Sequence, residues 1–298
     1  GPGEMTPGPL SAFFPRMTSP GTLYVVATPL GHLGDLSTRA VETLRTVDTV
    51  AAEDTRRTLG LLASIDAHPR LLSYHAHSGA NRADALLAVL TAGRDVALVT
   101  DAGTPAISDP GHELVAAARA AGLTVVPIPG PSAVATALSA AGLPGDRYLF
   151  LGFLPRKGVE RKRLIERAAG EAWSVVFFEA ANRLPELLDD LAAACGAERQ
   201  AVVCRELTKL HEEFRAGTLS ALSEHYGETA ARGEVTLVLA GRGDHHGDDE
   251  PAADPAEIMA AVRDGLAAGE SRKDLVRMVS TRFGLSRNDA YRLVMDES

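Results

Sequence analysis

Residues 101–111 carry the densest chemistry in the chain: Asp101-Ala102-Gly103-Thr104-Pro105-Ala106-Ile107-Ser108-Asp109-Pro110-Gly111. Two carboxylates and two hydroxyls fall within nine positions. Such groups can fix the polar parts of a small molecule, and glycine lets main chain approach where a side chain would clash. The apolar run Val96-Ala97-Leu98-Val99 leads straight into this loop, and a helix pattern, Glu113 to Ala121, leaves it. An apolar run bounded by turn residues reads as a buried strand. In an open parallel sheet, ligands bind at the carboxyl ends of the strands. A plain strand-to-helix turn accounts for the glycine and one proline. It leaves the acids and hydroxyls without a reason, so the segment reads as a ligand loop.

The elements that must position this loop alternate. Strand patterns at Thr22–Thr28, Thr49–Ala52, Arg70–Tyr74, Val96–Val99 and Thr124–Ile128 are separated by helix patterns at Thr38–Thr46, Thr58–Ser64, Arg82–Thr91 and Glu113–Ala121. Ser37 reads as the N-cap of the first helix. Ser132 precedes an Ala-rich helix, Ala133–Ala141, where it can cap that helix or serve a ligand. Alternation of this kind implies a parallel sheet covered on both faces, here a first α/β domain over residues 22–142. Residues 142–146 read as a linker. A second α/β domain, residues 146–242, combines strands at Tyr148–Phe153, Ser174–Phe178, Ala201–Cys204 and Glu234–Ala240 with helices at Val159–Ala169, Leu184–Ala194 and Leu219–Glu228. Glu213–Gly217 reads as its edge strand. Residues 243–254 are an acidic, breaker-rich linker.

Residues 255–298 form a small helical appendix with three helix patterns, Pro255–Ala267, Arg272–Phe283 and Arg287–Met295. Ser271 with Asp274 and Ser286 with Asp289 resemble capping boxes. The appendix has a helix-turn-helix shape and carries Arg272, Lys273, Arg277, Arg282, Arg287 and Arg292, either a solvated basic face or an RNA contact. Residues 1–21, rich in Pro, Gly and Ser and opening on Gly1-Pro2-Gly3 like the scar of a cleaved tag, are expected to be disordered and outside the fold.

With 298 residues, 45% of them hydrophobic, the chain has material for two full cores. No apolar run approaches a membrane-spanning length, so a soluble protein without a membrane partner is expected. The two cysteines, Cys195 and Cys204, fall in helix and strand patterns. They read as buried thiols of a reducing compartment, hence the cytoplasm. A net charge of −9 argues against non-specific nucleic-acid binding. It leaves room for a local patch, which Arg156, Lys157, Arg161, Lys162 and Arg163 supply. There is no Walker A pattern, no G-x-G-x-x-G after a strand, no G-x-S-x-G elbow and no Cys/His zinc spacing. Nucleotide hydrolysis, dinucleotide redox chemistry, α/β-hydrolase chemistry and zinc chemistry are therefore disfavoured, and no metal is expected. His245 and His246 read as solvated linker residues, His75 and His77 as surface residues.

Six ordered motifs sharpen this reading: Leu23-Tyr24-Val25-Val26-Ala27-Thr28-Pro29-Leu30-Gly31 with Gly34-Asp35; Ala52-Glu53-Asp54-Thr55-Arg56; Asp101 to Pro105 with Ser108 to Gly111; Pro129-Gly130-Pro131-Ser132; Gly152-Phe153-Leu154-Pro155; and Arg205-Glu206-Leu207-Thr208-Lys209. Over about residues 22–242 the chain resembles the 16S ribosomal RNA cytidine 2′-O-methyltransferase I family, a class III, tetrapyrrole-methylase-like group of methyltransferases. The helical tail fits as well. Two positions depart from the family pattern. Glu-Ser-Pro-His-Arg is replaced by Glu179-Ala180-Ala181-Asn182-Arg183, and the Asn expected after Gly31 is His32.

The resemblance implies two α/β domains with an interdomain cleft that holds S-adenosylmethionine in a folded conformation. It implies cofactor contacts from Pro29, Leu33, Asp101, Gly103, Thr104, Ile107, Ser132, Ala133, Ala181 and Asn182. The implied reaction is in-line methyl transfer to a ribose 2′ oxygen of 16S ribosomal RNA in the small subunit, by an expected homodimer. A hydroxyl is a poor nucleophile until its proton leaves, so a nearby base helps. Glu53, Asp54 and Glu179 are the candidates, with Arg56 or Arg183 gripping a phosphate. The plainer roles are a local salt bridge for Glu53 to Arg56 and a helix cap for Glu179; His75 and His77 are rival bases. Two other readings stay open: a methylase of tetrapyrroles or of protein side chains on the same fold, and a cofactor-sensing ribosome-binding protein without catalysis.

Overall fold

The computed structural model describes residues 19–75, 80–229, 231–242, 255–283 and 287–296. The first 18 residues, His77, the linker 243–254 with His245 and His246, and Ser286 lie outside the described residues. The chain divides into two compact units, residues 1–136 with 206–212, and residues 137–205 with 213–298.

The first unit has strands β1 (Thr22–Val26), β2 (Thr49–Ala52), β3 (Arg70–Ser73), β4 (Val96–Val99) and β5 (Thr124–Ile128). Between them run helices α1 (Thr38–Thr46), α2 (Thr55–Ser64), α3 (Ala80–Thr91) and α4 (His112–Ala120), and α5 (Ala133–Ala140) follows β5. The sheet order is β3-β2-β4-β1-β5, and every pairing is parallel. Both faces are covered. On one, Val26, Val50, Ala97 and Val99 pack against Leu44 of α1 and Leu62 of α2. On the other, Leu23, Ala51, Val96 and Leu98 pack against Leu90 of α3 and Leu114 of α4. All four residues of β4 are buried, so no polar residue interrupts that run. Helix α2 starts three residues earlier than the apolar pattern predicts, at Thr55 and not Thr58. Asp54 is the reason: its carboxylate accepts the Arg56 N–H and satisfies a first-turn donor. Ser37 caps α1 as expected, accepting the Ala40 N–H.

The second unit contains β6 (Tyr148–Phe153), α6 (Val159–Gly170), β7 (Ser174–Ala180), α7 (Leu184–Cys195), β8 (Gln200–Arg205), β9 (Glu213–Thr218), α8 (Leu219–Glu228) and β10 (Glu234–Leu239). Its order is β6-β7-β10-β8-β9, with β9 at an edge as expected. This sheet is mixed: β6 and β7 are parallel, whereas β10 runs antiparallel to β7 and β8, and β9 antiparallel to β8. Phe177, Val203 and Leu237 form the core on one face with Leu187, Leu188 and Leu191 of α7 and Leu219 and Leu222 of α8. Helices α9 (Pro255–Ala267), α10 (Arg272–Phe283) and α11 (Arg287–Asp296) enclose a small core of Val262, Leu275, Val279, Ala290 and Val294. Ser271 accepts the Asp274 N–H at 3.2 Å, as the capping pattern predicts. Among the described residues no helix is long and apolar enough to cross a membrane.

Two glycines give opposite expectations. Gly111 caps α4 at φ 135°, and a Cβ there would sit 2.6 Å from Leu98 Cδ2. Gly60 lies inside α2 with nothing within 4 Å of an added Cβ. Gly111→Ala is expected to lose about 1–3 kcal/mol of stability, and Gly60→Ala to gain about 0.5–1 kcal/mol, both read from urea denaturation.

Candidate ligand site at the carboxyl edge of the first sheet

Four strand ends converge on the predicted ligand loop. Beyond β1, the Thr28 N–H donates to Gly103 O at 2.9 Å and the Gly103 N–H returns to Thr28 O at 3.0 Å. Thr28 Oγ1 donates to Thr100 O at 3.1 Å, at the end of β4. Thr104 Oγ1 donates to Pro131 O, beyond β5, at 3.1 Å. Beyond β2, Glu53 Oε2 accepts the Thr100 hydroxyl at 2.9 Å, and the Asp54 N–H donates to Asp101 Oδ1 at 3.0 Å. Arg57 stands 3.5 Å from Asp101 Oδ2. Inside the loop Ala106 and Ser108 hold φ of 66° and 58°. Such conformations cost non-glycine residues about 1–3 kcal/mol each and persist only where the surroundings over-determine them.

The carboxylates of this edge differ in character. Burial pushes Asp101 up from its ordinary value, the Glu53 charge adds to that, and the Asp54 N–H opposes it. Asp54 is held down at about 2, first by the side-chain hydrogen bond from Arg56. Arg56 donates to both Asp54 oxygens, at 3.2 and 2.9 Å, so the local salt bridge is present. Asp54, expected as a catalytic base, is engaged by that bond. Its carboxylate caps α2, is held by Arg56 and binds a proton weakly. Arg56 itself remains 89% exposed.

The remaining predicted cofactor residues of this unit lie in the same loops. Pro29 is buried, and Ser132 and Ala133 are half-buried at the start of α5. The Ser132 hydroxyl accepts the Ala135 N–H only at 3.5 Å. Leu33 and Ile107 are 57% and 48% exposed, large apolar side chains facing solvent beside polar loops.

The segment 206–212 belongs to this unit, and the sequence-derived site set left it out. The His32 N–H donates to Thr208 Oγ1 at 3.1 Å across 176 residues. A Cβ on Gly31 would collide with the Lys209 stem. The His32 ring, standing where an Asn was expected, accepts the Gly34 N–H at 3.0 Å and caps a 3-10 turn at Leu33–Asp35. The available signal was the polar run Glu206 to Lys209 directly after a strand, together with an unexplained glycine at position 31.

In the second unit Glu179 is buried in β7 and caps no helix. Its Oε1 accepts the Ala180 N–H at 2.8 Å. Its Oε2 is 3.4 Å from the Arg183 guanidinium and receives no hydrogen bond. Arg183 donates to Leu154 O at 3.3 Å. Ala181–Arg183 form a 3-10 turn in which Ala181 is buried and Asn182 exposed. Of the basic cluster, Arg156, Lys157, Lys162 and Arg163 are exposed. Arg161 is not, and its assignment to RNA is corrected: it is 6% exposed. Its Nε and Nη2 bind Asp190 at 2.9 and 2.7 Å, and its Nη1 binds Pro155 O at 3.1 Å. Arg161 lies four residues before the buried Ile165, so it shares the inward face of α6.

Known proteins match this architecture. The family model of Tetrapyrrole (Corrin/Porphyrin) Methylases matches residues 22–223. A Synechocystis protein named ribosomal RNA small subunit methyltransferase I is 44% identical over 93% of this chain and 98% of its own length. The protein of that name from Escherichia coli O157:H7 is 38% identical over 94% of this chain and 96% of its own. Among solved structures, a cobalt precorrin-4 methyltransferase superposes with a TM-score of 0.60 at 18% identity, over 76% of this chain and 98% of that one. A uroporphyrin-III C-methyltransferase from Thermus thermophilus, complexed with S-adenosylhomocysteine, superposes at 0.56 and 18%, over 74% of this chain and 98% of that one. The chain therefore belongs to the tetrapyrrole (corrin/porphyrin) methylase family, among the ribosomal RNA small subunit methyltransferases I.

Proposed function

We propose that this protein transfers the methyl group of S-adenosylmethionine to the 2′ oxygen of a cytidine ribose in 16S ribosomal RNA of the small subunit, in the cytoplasm. The observation that carries the reading is the braced edge where Thr28, Glu53, Asp101 and Thr104 meet, in a chain whose relatives are named for small-subunit RNA methylation. When bound, S-adenosylmethionine supplies an electrophilic methyl on a positively charged sulfur. The residues present fit it. Asp101 offers a carboxylate to a cationic group. Gly103, buried at φ 88° with both main-chain polar groups bonded to Thr28, sets the turn of the loop that presents Asp101. Leu33 and Ile107 supply an apolar wall that leaves the methyl without a polar competitor. Pro29, Thr104, Ser132 and Ala133 complete the set in the first unit.

Aligning two bound reactants can remove roughly 7–11 kcal/mol of barrier, so positioning carries much of the rate. The acceptor hydroxyl must also lose its proton. Glu53, Asp54 and Glu179 are the candidate bases. Arg56 is the candidate grip for a phosphate, and Arg156, Lys157, Lys162 and Arg163 the candidate contacts to the RNA backbone.

The test is incubation with methyl-labelled S-adenosylmethionine and small subunits from a strain lacking the gene. Label is expected in 16S ribosomal RNA, in a nucleotide whose 3′ phosphodiester resists alkali. Label in protein, in a tetrapyrrole, or nowhere overturns the reading. Asp101→Asn is expected to weaken cofactor binding about 10- to 100-fold, the range for a hydrogen bond to a charged group, read by calorimetry. Replacing Lys157 and Lys162 together by Ala should flatten the salt dependence of RNA affinity by about 1–2 in log–log slope. Arg161→Ala should leave that slope unchanged and cost about 1–3 kcal/mol in urea denaturation by stripping Asp190 of its partner. Because Asp54 titrates at about 2, below its ordinary 3.8, its stabilising contacts are complete above that ordinary value and are lost as pH falls through 2. Arg56→Ala should return the Asp54 titration toward 3.8 by carboxyl-carbon NMR.

A further inference from the structure

The strap 206–212 holds Leu210 at 91% exposure, the most exposed large apolar side chain among the described residues. A single exposed leucine is ordinary on a protein surface. What sets this one apart is its mounting. Glu206 and Thr208, on the same short strap, hold φ of 53° and 64° without being glycines. Five bonds fix the turn around them. The Lys209 N–H donates to Glu206 O at 3.0 Å and the Glu212 N–H to Lys209 O at 3.1 Å. The Thr208 N–H donates to Glu212 Oε2 at 2.6 Å, and Lys209 Nζ pairs with Glu206 Oε1 at 3.0 Å. The His32 N–H reaches Thr208 Oγ1 from the loop that follows β1. The Lys209 stem fills the place a side chain on Gly31 would take. A slack loop folds its leucine back onto protein; a strained and cross-tied one keeps it out. The same loop after β1 exposes Leu33, next to His32.

We propose that Leu210 is an apolar wedge that enters the base stack of the RNA substrate and holds the acceptor nucleotide out of it. The proposal rests on the reading of this protein as an RNA ribose methyltransferase. Displacing the acceptor nucleotide from its stack frees its ribose for in-line approach of the methyl donor. Proteins that open a base step commonly insert a leucine, isoleucine, phenylalanine or methionine. The strap packs on the loop after β1, so a nucleotide displaced by Leu210 is released next to the edge assigned to the methyl donor.

The experiment uses the full chain, S-adenosylmethionine and two substrates. One is small subunits from the deletion strain. The other is a single-stranded oligonucleotide spanning the nucleotide whose 2′-O-methyl group that strain lacks. Leu210→Ala is expected to slow transfer to subunits at least 10-fold and transfer to the oligonucleotide less than 2-fold, with cofactor affinity unchanged. Leu210→Met should restore transfer to subunits. A 2-aminopurine beside the acceptor, in a duplex form of the same RNA, should brighten on binding wild-type protein and stay dark with Leu210→Ala. Equal rates for wild type and Leu210→Ala on subunits would overturn the proposal. So would equal loss on both substrates, or a Leu210→Asp protein that sediments as a smaller species, which would make Leu210 a contact between copies of the chain. If wild-type protein labels no RNA at all, the underlying functional reading has failed instead.

Discussion

The reciprocal backbone pair between Thr28 and Gly103 is the constraint on which the rest of the first unit depends. Parallel strands β1 and β4 are neighbours in the sheet, but their carboxyl ends run on into loops that nothing in a parallel ladder controls. Two hydrogen bonds, each worth about 1 kcal/mol net, extend the pairing beyond the strands and make the two loops cross as one object. Thr100 then takes on two duties: its carbonyl accepts Thr28, and its hydroxyl reaches Glu53 beyond β2. Thr104 adds the chain beyond β5. The left-handed conformations of Ala106 and Ser108 follow from this over-determination. A loop pinned at both entrance and middle has fewer conformations left than residues to place, and it accepts local strain where a free loop would relax.

Much of the first unit was legible because its physics is local. Val96 to Val99 are uniformly apolar because helices cover both faces of the sheet, and that run fixes the strand without any alignment. The positions of Asp101 and Thr104 at a strand's carboxyl end follow from the same reading. Three things were not legible. The antiparallel run of β10 between β7 and β8 depends on where a strand inserts, and a strand pattern reads the same in either direction. Arg161 looked like its neighbours Lys162 and Arg163, and only the burial of α6 on Asp190 separates them. The strap 206–212 lies 176 residues from the loop it braces, and hydrophobic periodicity carries no information at that range.

The carboxylates show how one residue type is made to serve different ends. Asp54 has a guanidinium and a helix N-terminus, so its ionised form is favoured and its basicity spent. Asp101 is partly buried beside Glu53, so its ionised form is disfavoured. Glu179 is buried with Arg183 on one side and an oxygen that accepts no hydrogen bond. Such an oxygen is costly to keep without a donor. Composition alone makes the three equivalent; neighbouring donors and burial separate them.

On the proposed reading, a chain with net charge −9 meets RNA, and its basic residues solve that electrostatic problem only in part. Screening at physiological salt confines each charge to about 8 Å, so the acidic bulk of the protein does not cancel a local patch. The patch is nonetheless weaker than the sequence suggests. Arg161 is withdrawn into the fold, Lys162 is shared with Glu166 at 3.9 Å, and Arg163 with Glu160 at 2.9 Å. Phosphate attraction of that size steers an encounter but cannot select one nucleotide among the many of a ribosomal RNA, since phosphate contacts carry no sequence information. Selection must then come from shape and from groups that meet bases directly. Rigid loops with outward apolar tips are suited to that work, because a contact that forms only when the RNA deforms correctly discriminates by deformation energy and not by charge.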